Sequence, residues 1–103
     1  ILLYFLMKNK FIAIKLEENK KNDEKLFMYL INTFQSSAQI ALGEMENPMT
    51  RKVETNLDQA GYYIDLLEMV KKKTKDNLTE YEEQMLINII SKLKMSLLLE
   101  SKR

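Results

Sequence analysis

Lys73-Thr74-Lys75-Asp76-Asn77-Leu78-Thr79-Glu80-Tyr81-Glu82-Glu83 decides the fold. Lys71, Lys72 and Lys73 close an apolar-periodic run, where positive charge suits the C-terminus of a helix. Thr79 with Glu82 three residues on predicts a capping box. The Thr79 hydroxyl accepts from the Glu82 amide, and the Glu82 carboxylate accepts from the Thr79 amide. The stretch thus ends one helix, turns, and opens another. A turn this short makes the two helices an antiparallel hairpin.

Working outward, the helix after the turn carries Met85, Leu86, Ile89, Ile90, Leu93 and Leu97 on one stripe and is expected to fray after Leu99. The helix before it opens at Asn56, with Gln59 placed for a second capping box, and ends near Thr74. Its apolar set is Leu57, Ala60, Tyr63, Ile64, Leu66, Leu67, Met69 and Val70. That set spans an arc of about 240°, too wide for one neighbour, so this helix is central. Residues 43–56 form a long connection, with Asn47-Pro48-Met49-Thr50 a turn in which Pro48 presets φ. The spacing predicts a first helix from Asn22 or Asp23 to about Leu42, stopped by Gly43 in the left-handed conformation. Its expected core stripe is Leu26, Phe27, Leu30, Ile31, Phe34, Ala38, Ala41 and Leu42. Met28, Met69, Met85 and Met95 are read as core filler.

Ahead of residue 23 the pattern is less definite. Ile1 to Met7 is apolar but too short to span a bilayer, and no basic residue precedes it as in a signal peptide. Met7-Lys8-Asn9-Lys10 reads as a protein start, which makes Ile1–Leu6 upstream sequence; the alternative is a short anchor touching a membrane. Phe11-Ile12-Ala13-Ile14 suits a strand or a helical turn, and Asn19 to Asp23 a polar linker. Residues 1–22 are expected to be a poorly ordered extension, and residues 23–103 a single helical domain.

Composition excludes much chemistry. With no cysteine and no histidine among 103 residues, disulfides, thiolate metal sites, cysteine nucleophiles and the commonest general base are absent. The carboxylate pairs Asp65 with Glu68 and Glu80 with Glu83 lack the histidine that helical di-metal sites use. No phosphate-cradling glycine loop or nucleophile elbow occurs, and Ser36-Ser37 has no base partner. No catalytic residue, metal ligand or cofactor is expected. Net charge is +1, divided as +3 over residues 1–22 and −2 over residues 23–103. The folded part has no strong electrostatic reason to bind nucleic acid.

Between Leu26 and Leu42 no residue is charged. Asn32, Thr33, Gln35, Ser36, Ser37 and Gln39 replace the Lys and Glu of an ordinary solvated face, which points to contact with protein. A domain this small gains from self-association when disulfides and metals are excluded. The expected self-association face is Asn32, Gln35, Ser36 and Gln39 with Tyr62, Leu66 and Met69 of the central helix's spare arc.

Taken in order, Gln39, Ala41-Leu42-Gly43-Glu44, Asn47-Pro48 with Thr50, Asn56-Leu57, Ala60, Ile64-Asp65, Leu67, Lys73-Thr74, Asn77-Leu78-Thr79, Glu82 or Glu83, Leu86 and Leu93 form a pattern. From Phe34 to Lys94 the chain resembles a family of short bacterial proteins grouped as domain of unknown function eighteen-forty-four. That pattern favours glycine where this chain has Arg51 and Asp76. The resemblance implies a bacterial, cytoplasmic, helical protein, and implies no substrate and no catalytic residues.

The fold expected is all-α: three main helices, helices 2 and 3 an antiparallel hairpin, helix 1 packed across them. The function expected is a non-enzymatic, self-associating interaction module, a homo-oligomer with a dimer favoured. A different protein partner is a further option; nucleic acid is not favoured, and no membrane span is expected. The alternative is a nucleic-acid- or ribosome-associated accessory protein using Lys71–Lys75 and the basic N-terminus.

Overall fold

The computed structural model describes residues 1–103 apart from the side chains of Phe5 and Leu6, so part of the apolar run Ile1–Met7 lies outside the described residues. Three helices account for the regular structure: α1 (Leu2–Ala41), α2 (Leu57–Lys73) and α3 (Glu80–Ser101). No strand occurs among the described residues.

α1 is 40 residues long. It does not start at Asn22 or Asp23, and Asn19–Asp23 is no linker. Leu, Lys, Glu and Met are good helix formers, and neither Gly nor Pro interrupts the chain before Gly43, so nothing breaks the backbone ladder. Phe11–Ile14 is helical for the same reason. What changes near residue 26 is packing. Every described side chain from Ile1 to Leu26 is exposed, and burial begins at Phe27.

The helix ends as Gly43 predicts. Gly43 sits at φ +79. Its N–H donates to the Ile40 carbonyl (3.1 Å) and the Glu44 N–H to the Gln39 carbonyl (2.9 Å), which satisfies two carbonyls that a helix end leaves open. The connection then folds on itself. Asn47 pairs with Lys52 and Leu42 with Thr55 as isolated antiparallel bridges. The Pro48 turn is held by the Met49 N–H donating to Asn47 Oδ1 (2.9 Å). It is closed by the Arg51 N–H donating to the Asn47 carbonyl (2.7 Å).

Asn56 caps α2 by accepting from the Gln59 amide (3.1 Å). The reciprocal half of the expected box is absent, because the Asn56 N–H already donates to the Ala41 carbonyl (2.8 Å) and ties the start of α2 to the end of α1. At α3 the box is complete: Thr79 N–H to Glu82 Oε1 is 2.8 Å and Glu82 N–H to Thr79 Oγ1 is 3.1 Å. This explains a buried carboxylate, since Glu82 is 7% exposed and spends its charge on an open amide. α3 continues past Leu99 to Ser101.

α2 contacts both other helices, as its wide apolar arc requires. The Leu42–Thr55 bridge sets one end of the α1–α2 pair, and Phe27 shares a hollow with Thr74 and Leu78 at the other. α1 and α2 therefore run antiparallel, α2 and α3 form the hairpin, and the first half of α1 projects past the α2–α3 turn. The core is Ile31, Ala38, Ala41 and Leu42 of the first limb, Ala60, Ile64, Leu67 and Val70 of α2, and Leu86, Ile89, Ile90 and Leu93 of α3. Phe27, Phe34, Met85 and Leu97 pack against it. Leu26 and Leu30 do not belong to the core; they lie one step around the helix and are exposed. Met69 and Met95 are likewise surface residues and not filler. The radius of gyration is 19.4 Å. A globular chain of this length has about 13 Å. The difference is the unpacked half of α1.

Candidate functional site

Two surfaces are candidates. The first is the hollow beside the hairpin turn, bordered by Lys71, Lys72 and Lys75 of α2 and the turn, and by Lys94 of α3. The lysines that the sequence scatters around one helical wheel are thus partly gathered by the neighbouring helix. Lys73 is not among them. Glu68, Asp76 and Glu83 border the same hollow and offset most of its charge. Glu68 ion-pairs with Lys94. The hydrogen bond from Lys94 holds the Glu68 carboxyl below its ordinary range, aided by the attraction of Lys94, Lys72 and Lys71, while partial burial opposes the shift. The hollow is a mixed-charge surface and not a cationic one. Among the described residues, no cluster of three or more acidic side chains could hold a metal ion.

The second surface is the apolar one. From Ile1 to Leu30 the described residues include twelve large apolar side chains that are 41% or more exposed. Lys15 stands over the Phe11 ring at 5.0 Å, so cation and apolar surface share one side of α1. On α2, Tyr62 and Met69 are exposed and Leu66 is half-buried. Tyr62 and Tyr63 meet edge to face at 5.8 Å, which orients the outer ring.

The expected self-association residues do not form one patch. Asn32 is exposed, whereas Gln35, Ser36 and Gln39 are half-buried. Asn32 borders a hollow with Tyr81 and Glu82, so this side of α1 looks toward α3. Tyr62, Leu66 and Met69 lie on the other flank of α2, away from Glu68, Lys71 and Lys72, which border α3. At about 100° per residue, Asn32, Gln35 and Gln39 project from α1 roughly opposite to Leu26 and Leu30. The uncharged stretch thus has a cause within the chain, since Gln35, Ser36, Ser37 and Gln39 are each partly covered by their own bundle.

Sequence reasoning missed the exposed apolar surface of residues 1–16 as a structural feature. The signal was present: apolar residues occur in runs, Ile1–Met7 and Phe11–Ile14, and not at helical spacing. A run covers every side of a helix, and one neighbour cannot bury it all. No helix among the described residues is long and apolar enough to cross a membrane.

No curated protein and no solved structure matches this chain. Residues 24–99 match a family model described as Domain of unknown function (DUF1844). The match begins three residues before burial does and ends two before the end of α3, so it frames the packed bundle. The chain therefore belongs to the DUF1844 family.

Proposed function

We propose that this protein is a non-enzymatic, cytoplasmic interaction module that self-associates. One observation carries the reading: a continuous helix leaves every described side chain from Ile1 to Leu26 exposed, including large apolar ones. Helices draw most of their stability from packing an apolar face, and an unsupported helical segment is marginal in water. Contiguous apolar surface of this kind marks a protein-interaction site. The lack of histidine and cysteine supports a binding role over catalysis.

Size-exclusion chromatography with light scattering tests the proposal directly. A dimer or larger species is expected at tens of micromolar, and a clean monomer there overturns it.

A nucleic-acid reading retains one specific support, the grouping of Lys71, Lys72, Lys75 and Lys94. Binding through phosphate contacts falls steeply with salt. Salt-dependent RNA binding lost on replacing those lysines favours this reading; absent or salt-independent binding removes it.

A further inference from the structure

We infer that the partner of the projecting half of α1 is a second copy of the same segment, running antiparallel. This rests on the self-association reading above and adds the surface, the direction and the register.

On the side of α1 opposite its core, positions alternating by four and three residues, Tyr4, Lys8, Phe11, Lys15, Glu18, Asn22, Lys25 and Tyr29, form one seam, the spacing that faces a partner helix in a coiled coil. All of them are exposed. The core stripe, Phe27, Ile31 and Phe34, points the other way. A partner helix can therefore lie along the seam without meeting α2 or α3.

Direction follows from charge. Residues 8–16 carry Lys8, Lys10 and Lys15, for +3. Residues 17–25, the block opposite them across a two-fold axis between Leu16 and Glu17, carry Glu17, Glu18, Asp23 and Glu24 against Lys20, Lys21 and Lys25, for −1. A parallel, in-register pair sets each block against its own sign. An antiparallel pair sets +3 against −1 at both ends of the overlap, where a parallel pair would set +3 against +3, and charge patterns of this kind choose orientation.

Register follows from the apolar residues. With the two-fold axis between Leu16 and Glu17, Tyr4 falls opposite the partner's Tyr29, Phe11 opposite the partner's Asn22, and Lys15 opposite the partner's Glu18. The apolar run that includes Tyr4 and Met7 then covers the exposed turn holding Leu26 and Tyr29, which are 67% and 74% exposed in the single chain. The charge blocks set the direction and the apolar ends set the alignment. A stable dimer needs about 800 Å² from each partner. Tyr4, Met7, Phe11, Ile14, Leu26 and Tyr29, each 50% or more exposed, lie on or beside the seam and contribute the apolar part of it.

The least favourable layer is Lys8 against the partner's Lys25, and it is the place to test. The chain has no cysteine, so single introduced cysteines report pairing cleanly. Full-length Lys8→Cys and Lys25→Cys proteins are treated with a short bis-maleimide, separately and as an equimolar mixture, alongside light scattering. Bridged dimer in the mixture and almost none in either variant alone is the expected result. Bridging of Lys8→Cys alone shows a parallel pair and overturns the inference while leaving self-association standing. A dimer by light scattering with no bridging in any sample places the interface elsewhere and also overturns it. A monomer overturns the self-association reading itself.

Discussion

The two halves of α1 are equally apolar and differently placed. Residues 2–21 contain eleven apolar residues of twenty, and residues 22–41 contain ten. Only the second half finds a neighbour. There the apolar residues repeat at helical spacing, Phe27, Ile31, Phe34, Ala38 and Ala41, and make a stripe that α2 and α3 cover. In the first half they come in runs that spread around the helix and make no single stripe. The amount of apolar surface does not decide which segment joins a core; its periodicity does.

The largest expected effect breaks the packed side of this comparison. Leu67 is fully buried at the centre of α2. Leu67→Ala should cost about 2–5 kcal/mol by chemical denaturation, because the cavity adds to the lost transfer energy. Leu16→Ala removes the same group from the unpacked half, where the side chain is 57% exposed. At protein concentrations too low for association it should change stability by no more than about 0.5 kcal/mol. An equal cost at both positions would mean that the first half of α1 is packed within a single chain.

The next effect lies where the packed half ends. Gly43→Ala places a side chain at φ +79, and its Cβ would sit 2.7 Å from Thr55 Oγ1. The left-handed conformation alone costs about 1–2 kcal/mol, and the contact adds to it. Thr55→Ala in the same chain should recover the contact part and leave the backbone part. Full recovery would show that Gly43 is needed for space and not for its conformation. Smaller again is Thr79→Ala, which removes the hydroxyl that accepts from Glu82. About 1 kcal/mol is expected, read from the denaturation midpoint.

These positions also mark what the sequence made legible. The hairpin, the complete capping box, the Gly43 stop and most of the core followed from local chemistry, because each depends on residues within a turn or two. The start of α1 did not, because Asn22 and Asp23 look like caps while the residues before them are equally good helix formers. A cap signal says where a helix can begin and not that it must. The expected interaction face is a different case. Asn32, Gln35, Ser36 and Gln39 lack charge, but whether such a face meets a partner or its own bundle depends on where α3 lies, which no local pattern carries.

The smallest effect concerns two turn residues. Arg51 sits at φ 57 and Asp76 at φ 68, the left-handed region. These are the two positions where the resemblance calls for glycine, so the backbone accounts for that preference. Replacing an L-residue by glycine there removes a conformational penalty of about 1–2 kcal/mol. It also frees the unfolded chain, which costs about 0.4–1 kcal/mol. For Arg51, whose side chain makes no hydrogen bond or ion pair with the turn among the described residues, the balance favours the variant, and Arg51→Gly should stabilise by up to ~1 kcal/mol. Asp pays less in this region, because its short carboxylate can bond to nearby backbone. Asp76→Gly should therefore be close to neutral. Paired denaturation curves decide the matter. Equal stabilisation at both sites would show that Asp76 gains nothing from its side chain, and that the α2–α3 turn is as strained as the loop between α1 and α2.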